Sequence, residues 1–480
     1  MKRLHLLSAG QVCACLLSLF WVPVPVAAQL VPTDPQLQSN QSLSIPRKLT
    51  LEQAETLLLQ RNLTVAGSKY QIEVNQAARL LAAYKPNPVL TVGAEQLNLA
   101  APHVFYQTDS NLAAQGTYTL RVDKIIERGG KRELRTQQAD ALVEAAKAQM
   151  RDTCRTQLFQ LRQAFGTAIL ARENLQLAVE TDRQYEQTER LTSARVENGD
   201  LSPAELYRVR TGRLQYQQAV LQAETAYNQA TREVLNLLGA NPGEVENNPE
   251  TASRLENGAT LQPVALRPNV QTLPELLRNS TLEIVGRLND QPLSLDRGKL
   301  VETALAERPD VQVARHNLEA AEKSWKLAQA QRTRDISVGV EYQRVGSDHA
   351  VGVVTQIPLF VYNNHNVEIS QAESQYRMAQ TALKLAENQA VTDVEKAWQT
   401  FQAAQKTLQL YNSDNLTQVE KLREIAAFSY KEGASSLFEL LDAQRAANQA
   451  ATAYNQARAD YQLSLWMLEQ ATGKPLSQKD

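Results

Sequence analysis

Residues 62–95 read NLTVAGSKYQIEVNQAARLLAAYKPNPVLTVGAE, and residues 308–341 read RPDVQVARHNLEAAEKSWKLAQAQRTRDISVGVE. A shift of 246 positions superposes them, and seven of the 34 pairs are identical, where roughly two are expected by chance. The identical pairs are Val65/Val311, Glu73/Glu319, Leu81/Leu327, Ala82/Ala328, Val92/Val338, Gly93/Gly339 and Glu95/Glu341. The stretch therefore predicts an internal duplication.

A second pair of segments supports this duplication. A shift of 234 positions lays residues 199–239 over 433–473. Identities there include Gly199/Gly433, Ser202/Ser436, Glu205/Glu439, Leu206/Leu440, Ala219/Ala453, Ala223/Ala457, Tyr227/Tyr461 and Gly239/Gly473. Matched glycines in matched order predict two copies of one structural unit.

Each copy has the same predicted order of elements: a short helix, a longer helix, two alternating segments and a very long helix. In the first copy the long helix spans residues 131–197, breaks at Gly199, restarts after Ser202-Pro203 and stops at Gly239. In the second copy the long helix continues without proline to residue 432, breaks at Gly433 and is followed by a helix ending at Gly473. A helix of about 65 residues is about 100 Å long, so neighbours must support it along its length.

Composition excludes several classes of protein. The 480 residues hold 50 Lys+Arg and 52 Asp+Glu, and this balance indicates no nucleic-acid partner. The apolar fraction of 43% is too low for a bundle of membrane-spanning helices. The five His and three Cys form no ligand motif, and no catalytic motif is found. We therefore expect no metal, no cofactor and no enzymatic activity.

The first 28 residues are typical of a signal peptide. Lys2 and Arg3 precede an apolar stretch, and Val26-Ala27-Ala28 offers small residues for cleavage. Cys15 within the apolar stretch leaves lipidation as an open alternative. The sequence thus predicts export from the cytoplasm.

Four segments between the helices alternate with period two. They are residues 89–96, 117–123, 336–343 and 351–357. Apolar side chains on one face, including Leu90, Val92, Val338 and Val340, stand opposite polar ones, as in the wall of a water-filled membrane barrel. A half-buried soluble hairpin has the same alternation. Four strands cannot close a barrel with an aqueous interior, whereas three chains would supply twelve.

This order of elements resembles that of the TolC-like outer-membrane efflux protein family, over about residues 49–475. The resemblance rests on the duplication and on short motifs in matching order: Lys85-Pro86-Asn87-Pro88, Glu127-Arg128-Gly129-Gly130-Lys131-Arg132, Ile357-Pro358-Leu359-Phe360, Glu197-Asn198-Gly199, Lys431-Glu432-Gly433, Leu238-Gly239 and Thr472-Gly473. The Gly-Gly-Lys-Arg run is most similar to the heavy-metal efflux branch.

The resemblance implies a mainly α fold with a small β part. Three chains would form a twelve-stranded outer-membrane β-barrel, with four strands each, above a long periplasmic α-helical barrel. Implied partners are two further copies, outer-membrane lipid, a periplasmic adaptor and an inner-membrane pump, with no nucleic acid. The expected parts are a signal peptide (1–28), an N-terminal extension (29–48), a first repeat (49–243), an inter-repeat equatorial segment (244–293), a second repeat (294–475) and a C-terminal tail (476–480).

The resemblance also implies site residues. Gly199 and Gly433 would form the helix turns at the periplasmic tip, and Glu205, Glu439 and Asp442 would line its aperture. Arg208, three residues after Glu205, has the spacing for a local ion pair. Ser435 stands where the family can carry a basic residue, which argues against a salt-bridge lock there. Facing the barrel interior we expect Glu95, Arg121, Asp123 and Glu341.

Each of these side chains has a simpler interpretation as a solvated charge, because acids suit a helix N-terminus and charges suit an exposed hairpin. Two other functions also compete with an outer-membrane exit channel for efflux or type I secretion. One is a periplasmic coiled-coil adaptor or scaffold without a barrel, although such adaptors would not show a duplication of the whole chain. The other is a secreted helical enzyme, for which no site is visible. The sequence does not name the cargo.

Overall fold

The computed structural model describes residues 45–95, 116–246, 273–289, 291–346, 348–411 and 413–476. The chain divides into a unit Met1–Ile45 and a unit Pro46–Asp480, and every element below belongs to the second. The expected signal peptide lies outside the described residues.

Helices dominate the described part of the chain, and strands make two small sheets. In chain order the elements are β1 (Lys48–Thr50), α1 (Leu51–Arg61), α2 (Leu63–Ala83), β2 (Val89–Glu95), β3 (Thr117–Ile126), α3 (Lys131–Glu197), α4 (Pro203–Leu237), α5 (Leu273–Asn279), β4 (Glu283–Val285), α6 (Arg297–Glu307), α7 (Pro309–Ala330), β5 (Ile336–Val345), β6 (Asp348–Gln356), α8 (Asn366–Leu410), α9 (Ser413–Lys431) and α10 (Leu437–Thr472).

The longest helix, α3, has 67 residues, which corresponds to about 100 Å. Helices α2, α4, α7 and α10 pack along it, as so long a helix requires. Its first turn follows Gly129 and Gly130, both with positive φ. A Cβ on Gly129 would lie 2.9 Å from Thr333, so a glycine is needed where this turn approaches the end of α7.

The second long helix is interrupted, which the sequence analysis did not predict. Helix α8 ends at Leu410 and α9 begins at Ser413. No proline lies in this region, so proline is not the cause of the interruption. The Asn415 amide donates to the Leu410 carbonyl at 2.8 Å, satisfying one group at the break.

The larger sheet is antiparallel, with strand order β2-β3-β5-β6. All four strands join helices at the same end of the sheet, because β2 and β5 follow α2 and α7 while β3 and β6 precede α3 and α8. A tight turn at Gly346, beyond the pair Val345↔Asp348, closes the β5–β6 hairpin at the other end. Strands β2 and β6 are the edges of this sheet in the single chain.

The smaller sheet pairs β1 with β4 in parallel. Strands of three residues are too short to show a periodicity, so no sequence pattern predicted this sheet. Nearby, two buried tyrosines each hold a short extended segment. The Tyr227 hydroxyl donates to the Leu282 carbonyl and accepts from the Ile284 amide, both at 3.1 Å. The Tyr461 hydroxyl makes the same two bonds to Gln291 and Leu293, at 2.9 Å each.

Candidate functional site

The larger sheet has one face, here called the polar face, that carries a charge cluster. Arg121 on β3 donates to the Asp123 carboxylate at 2.9 and 2.7 Å, and its guanidinium lies 4.0 Å from the Glu341 carboxylate on β5. The register pairs Arg121 with Glu341 directly. The three side chains are thus on one face, as alternation predicts.

Gly339 makes room for this cluster. It pairs with Asp123 in the register, and a Cβ there would lie 2.3 Å from a carboxylate oxygen of Asp123 and 3.1 Å from Nε of Arg121. A glycine inside an alternating strand is a signal for such a close approach. Gly339 is such a glycine, and the sequence analysis did not predict the close approach of Asp123 from it.

Glu95, the fourth expected interior charge, lies on the same face at the end of β2. It pairs with Thr117 in the register and its side chain is exposed. Within the described residues it has no ion-pair partner. Asp348 on β6 lies in the same row, through the pairs Thr117↔Val345 and Val345↔Asp348. The polar face therefore carries one Arg and four acids per chain.

The opposite face, here called the apolar face, exposes large aliphatic side chains. The exposed fractions are 61% for Leu90, 73% for Val92, 51% for Val340, 70% for Val351 and 72% for Val353. Leu90, Val122, Val340 and Val353 form one row across all four strands. Within the described residues, nothing buries Leu90, Val92, Val340, Val351 or Val353.

At the far end of the helices, the turns at Gly199 and Gly433 have the same geometry. Both glycines have positive φ, 84° and 78°. The Asp200 amide donates to the Arg195 carbonyl, and the Ala434 amide donates to the Ser429 carbonyl, each at 2.8 Å. Both turns have the Schellman pattern that favours glycine.

The structure brings the two turns together. The Arg195 guanidinium donates to the Tyr430 carbonyl at 3.0 Å and lies 5.3 Å from the centroid of the Tyr430 ring. The buried Tyr430 hydroxyl lies 3.0 Å from the Thr192 hydroxyl. Val209, Leu437 and Leu440 complete a small core around this ring. The sequence analysis missed this contact, because no spacing between residues 195 and 430 signals it.

The three expected aperture acids lie just beyond these turns. Ser436 caps α10 by accepting from the Glu439 amide at 3.3 Å. The side chains of Glu439 and Asp442 are exposed, whereas Glu205 on α4 is half-buried. Within the described residues none of the three has an ion-pair partner, and the pair between Glu205 and Arg208 is not formed.

Higher on the same helices, a charged network connects α3 to α4. Arg213 lies 3.2 Å from Asp182, 3.4 Å from Glu186 and 3.1 Å from Glu189. Arg210 also contacts Glu189, at 3.0 Å. Because each of these acids contacts an arginine of α4, the network holds α3 and α4 together.

Beside this network, Tyr185 stacks on Tyr216 with ring centroids 4.0 Å apart. Their hydroxyls are 2.9 Å apart. Burial, followed by the hydrogen bond and charge of Tyr216, raises the pKa of Tyr185 above its ordinary value. Tyr185 therefore stays neutral, and the stacked pair serves to pack α3 against α4.

The described residues contain neither a metal-binding cluster nor a helix suited to span a membrane. No group of three or more His, Cys, Asp or Glu side chains is arranged to hold a metal ion. None of the described helices combines the length and apolar character needed to span a membrane.

Comparison with known proteins relates the chain to one protein family and to several solved structures. A model of the outer membrane efflux protein family matches residues 300–474. No curated protein matches the chain in sequence.

Solved structures match over most of the chain. The outer-membrane channel OprN has 18% identity, covers 88% of this chain and 89% of its own, and has a TM-score of 0.66. CusC, whose structures are described in terms of transmembrane channel formation, has 17% identity, covers 88% of this chain and 92% of its own, and has a TM-score of 0.66. The outer membrane protein VceC of Vibrio cholerae has 17% identity, covers 89% of this chain and 97% of its own, and has a TM-score of 0.64. At such identities these matches show the fold, and the family model supplies the sequence relationship. The chain therefore has the fold of these outer-membrane channels, and its residues 300–474 match the outer membrane efflux protein family.

Proposed function

We propose that this protein is an outer-membrane exit channel through which cargo passes passively from the periplasm to the exterior. The observation that carries the proposal is the two-faced sheet. Its apolar face exposes a full row of aliphatic side chains, whereas its polar face carries Arg121, Asp123 and Glu341. Apolar residues outside and charges inside are what a water-filled membrane barrel requires.

We infer that three chains close this barrel. The edge strands β2 and β6 run in opposite directions, so β6 of one copy can pair with β2 of the next as an antiparallel neighbour. Twelve strands are enough for an aqueous interior, and four are not. The same association would give the long helices further neighbours and form an α-helical barrel.

Duplication of one unit explains why the two halves have the same parts. Tyr227 and Tyr461, which are identical under the 234-residue shift, each hold a backbone carbonyl and the amide two residues later. Equivalent turns at Gly199 and Gly433 add a second match. We assign the first repeat to residues 49–243 and the second to 294–475, with an equatorial segment at 244–293.

The paired turns are our proposed periplasmic tip. Glu439 and Asp442 have no ion-pair partner in the described chain, so in a trimer six such carboxylates would converge toward the axis, with Glu205 nearby. Closely spaced acids in a constriction favour cations. In the barrel, Glu95, Arg121, Asp123 and Glu341 would line the interior with a net negative charge.

Such a channel needs a source of cargo. From the match of residues 300–474 to the outer membrane efflux protein family we propose a periplasmic adaptor and an inner-membrane pump as partners, in an efflux or type I secretion system. A coiled-coil adaptor without a barrel is a poorer interpretation, because it would have no use for an exposed aliphatic sheet face.

Fractionation of cells that express the full chain tests the proposal. We expect the protein in the outer membrane, extracted only by detergent and migrating differently on gels before and after heating. Release into the soluble periplasmic fraction by osmotic shock would support the adaptor alternative instead.

A further inference from the structure

The two connections from the sheet to the long helices differ in length and character. Between β3 and α3 lie four residues, 127–130, and they are tied to the helices. Glu127 pairs with Arg135 at 2.9 Å, and the Arg128 amide donates to Asp335 at 2.9 Å. Between β6 and α8 lie nine residues, 357–365, and most of their first six are apolar. The short polar connection shows that joining strand to helix does not require an apolar surface.

The apolar side chains of the longer connection project outward. Exposed fractions are 48% for Ile357, 73% for Leu359, 72% for Val361 and 102% for Tyr362. In the sequence, Ile357 and Leu359 continue the alternation of Val351 and Val353 beyond the last paired residue, Gln356, as far as the turn between Leu359 and Val361. The apolar face thus extends past the end of the sheet.

The connection 357–365 is held in place by the side chain of Phe360, which points toward the rest of the chain. The Phe360 ring packs edge-on against His365 at 4.8 Å between centroids and lies 5.4 Å from the Arg334 guanidinium. The Val361 amide donates to the Leu359 carbonyl at 3.0 Å, forming a tight turn. Presentation of Leu359 and Val361 on the outside is therefore fixed by contacts on the inside.

Membrane height gives a reason for the extension. On the apolar face the β5–β6 hairpin runs from Arg344 to Ile336, eight steps of about 3.4 Å or about 27 Å along the strand. A tilt of about 40° reduces this to roughly 21 Å, whereas the apolar band of an outer-membrane barrel is about 25 Å tall. Lys124 also faces this side, beside Val338, where its long side chain can extend toward the periplasmic headgroups. The paired strands alone are too short.

We propose that residues 357–362 form an interfacial lipid anchor, with Leu359, Val361 and Tyr362 inserted at the headgroup–acyl boundary of the periplasmic leaflet. The inference rests on the proposed outer-membrane location. Tyrosine suits this boundary because its ring is apolar and its hydroxyl is wet. A neighbouring copy is the competing occupant, but the outward face shared with Val351 and Val353 favours lipid.

Depth-dependent quenching tests the anchor. The chain with all three cysteines replaced, by Cys13→Ser, Cys15→Ser and Cys154→Ser, carries one added cysteine, Val361→Cys, labelled with an environment-sensitive fluorophore in proteoliposomes. We expect lipids brominated near the headgroup to quench it at least twofold, lipids brominated at the chain end to quench it less, and aqueous iodide to have little effect. Matched controls are Val353→Cys on the apolar face and Ser370→Cys, exposed on α8.

The controls separate the anchor from the channel. Quenching at position 353 by deep bromines supports the barrel, and its absence would contradict the proposed function. With position 353 quenched, a label at 361 that responds to iodide as position 370 does would overturn the anchor. A label at 361 that responds to neither quencher would also overturn it, by showing protein contact.

Discussion

Single side chains at the two ends of the molecule have opposite electrostatic environments. On the polar face Arg121 is shared by Asp123 and Glu341, and between α3 and α4 Arg213 is shared by three acids. At the turns, Glu439 and Asp442 are exposed and have no ion-pair partner in the described residues. Acids left without a cation are available to act on passing ions.

We predict that Glu439→Gln combined with Asp442→Asn weakens cation preference in planar-bilayer conductance and weakens block by multivalent cations from the periplasmic side. The reason is that closely spaced carboxylates attract cations into a constriction. Glu302→Gln, an exposed acid on α6, is the control and should leave selectivity unchanged. A double variant that conducts like the parent would remove both acids from the aperture.

A second residue-scale prediction concerns Arg308, which is 3% exposed. It donates to Asp310 at 3.0 and 2.7 Å and to Asp393 at 3.0 Å. Arg308→Ala would leave two carboxylates without their cation, so we expect a loss of about 3–5 kcal/mol in the free energy of unfolding. Thermal or denaturant unfolding measures it, and Arg297→Ala, at an exposed pair with Glu395, should cost under about 1 kcal/mol.

The same cluster predicts a pH dependence. Burial would raise the pKa of Asp310, but the hydrogen bond and charge of Arg308 outweigh burial and lower it below its ordinary 3.8. A lowered folded-state pKa means that the stabilisation is present above the unfolded-state value and is lost as pH falls through the folded-state value. Asp310→Asn should therefore flatten the acid limb of the stability curve below about pH 4. An acid limb identical to that of the parent would contradict this assignment.

At the scale of elements, the sheet gives the clearest prediction. Val340 lies in the aliphatic row of the apolar face, and Gln343 lies on the polar face of the same strand. Val340→Arg should cost about 2–4 kcal/mol by placing a charge in lipid, whereas Gln343→Arg should be tolerated. The measurement is the yield of folded, heat-modifiable protein in outer membranes. Equal yields would count against a membrane barrel.

Sequence periodicity predicted the type and order of most elements, including α3 from Lys131 to Glu197 as the structure has it. Strand ends were less accurate: β3 continues to Ile126 and β6 begins at Asp348, because Lys124 and His349 interrupt the apolar alternation. The pairing of β1 with β4 and the contact of Arg195 with Tyr430 were not predictable, since both depend on packing between distant segments. The sequence did predict that Arg121, Asp123 and Glu341 share one face.

At the scale of the whole molecule, the described part of the single chain leaves apolar surface exposed. Its larger sheet has edge strands β2 and β6, and within the described residues the aliphatic side chains of the apolar face are exposed. Long helices also expose apolar residues at regular intervals, as Leu214 and Leu221 do on α4, with 62% and 61% of their surface exposed. In a monomer, exposed strand edges and exposed apolar patches promote aggregation. Three copies in a membrane would cover all of these features.

The most direct test of the channel is therefore the number of copies in the detergent-extracted protein, measured by native mass spectrometry. We predict a single assembly of three chains that persists on dilution, because strand pairing and helix packing would both join the copies. A preparation that contains only monomers, while retaining its helical content, would contradict the account, because four strands from one chain cannot enclose an aqueous channel.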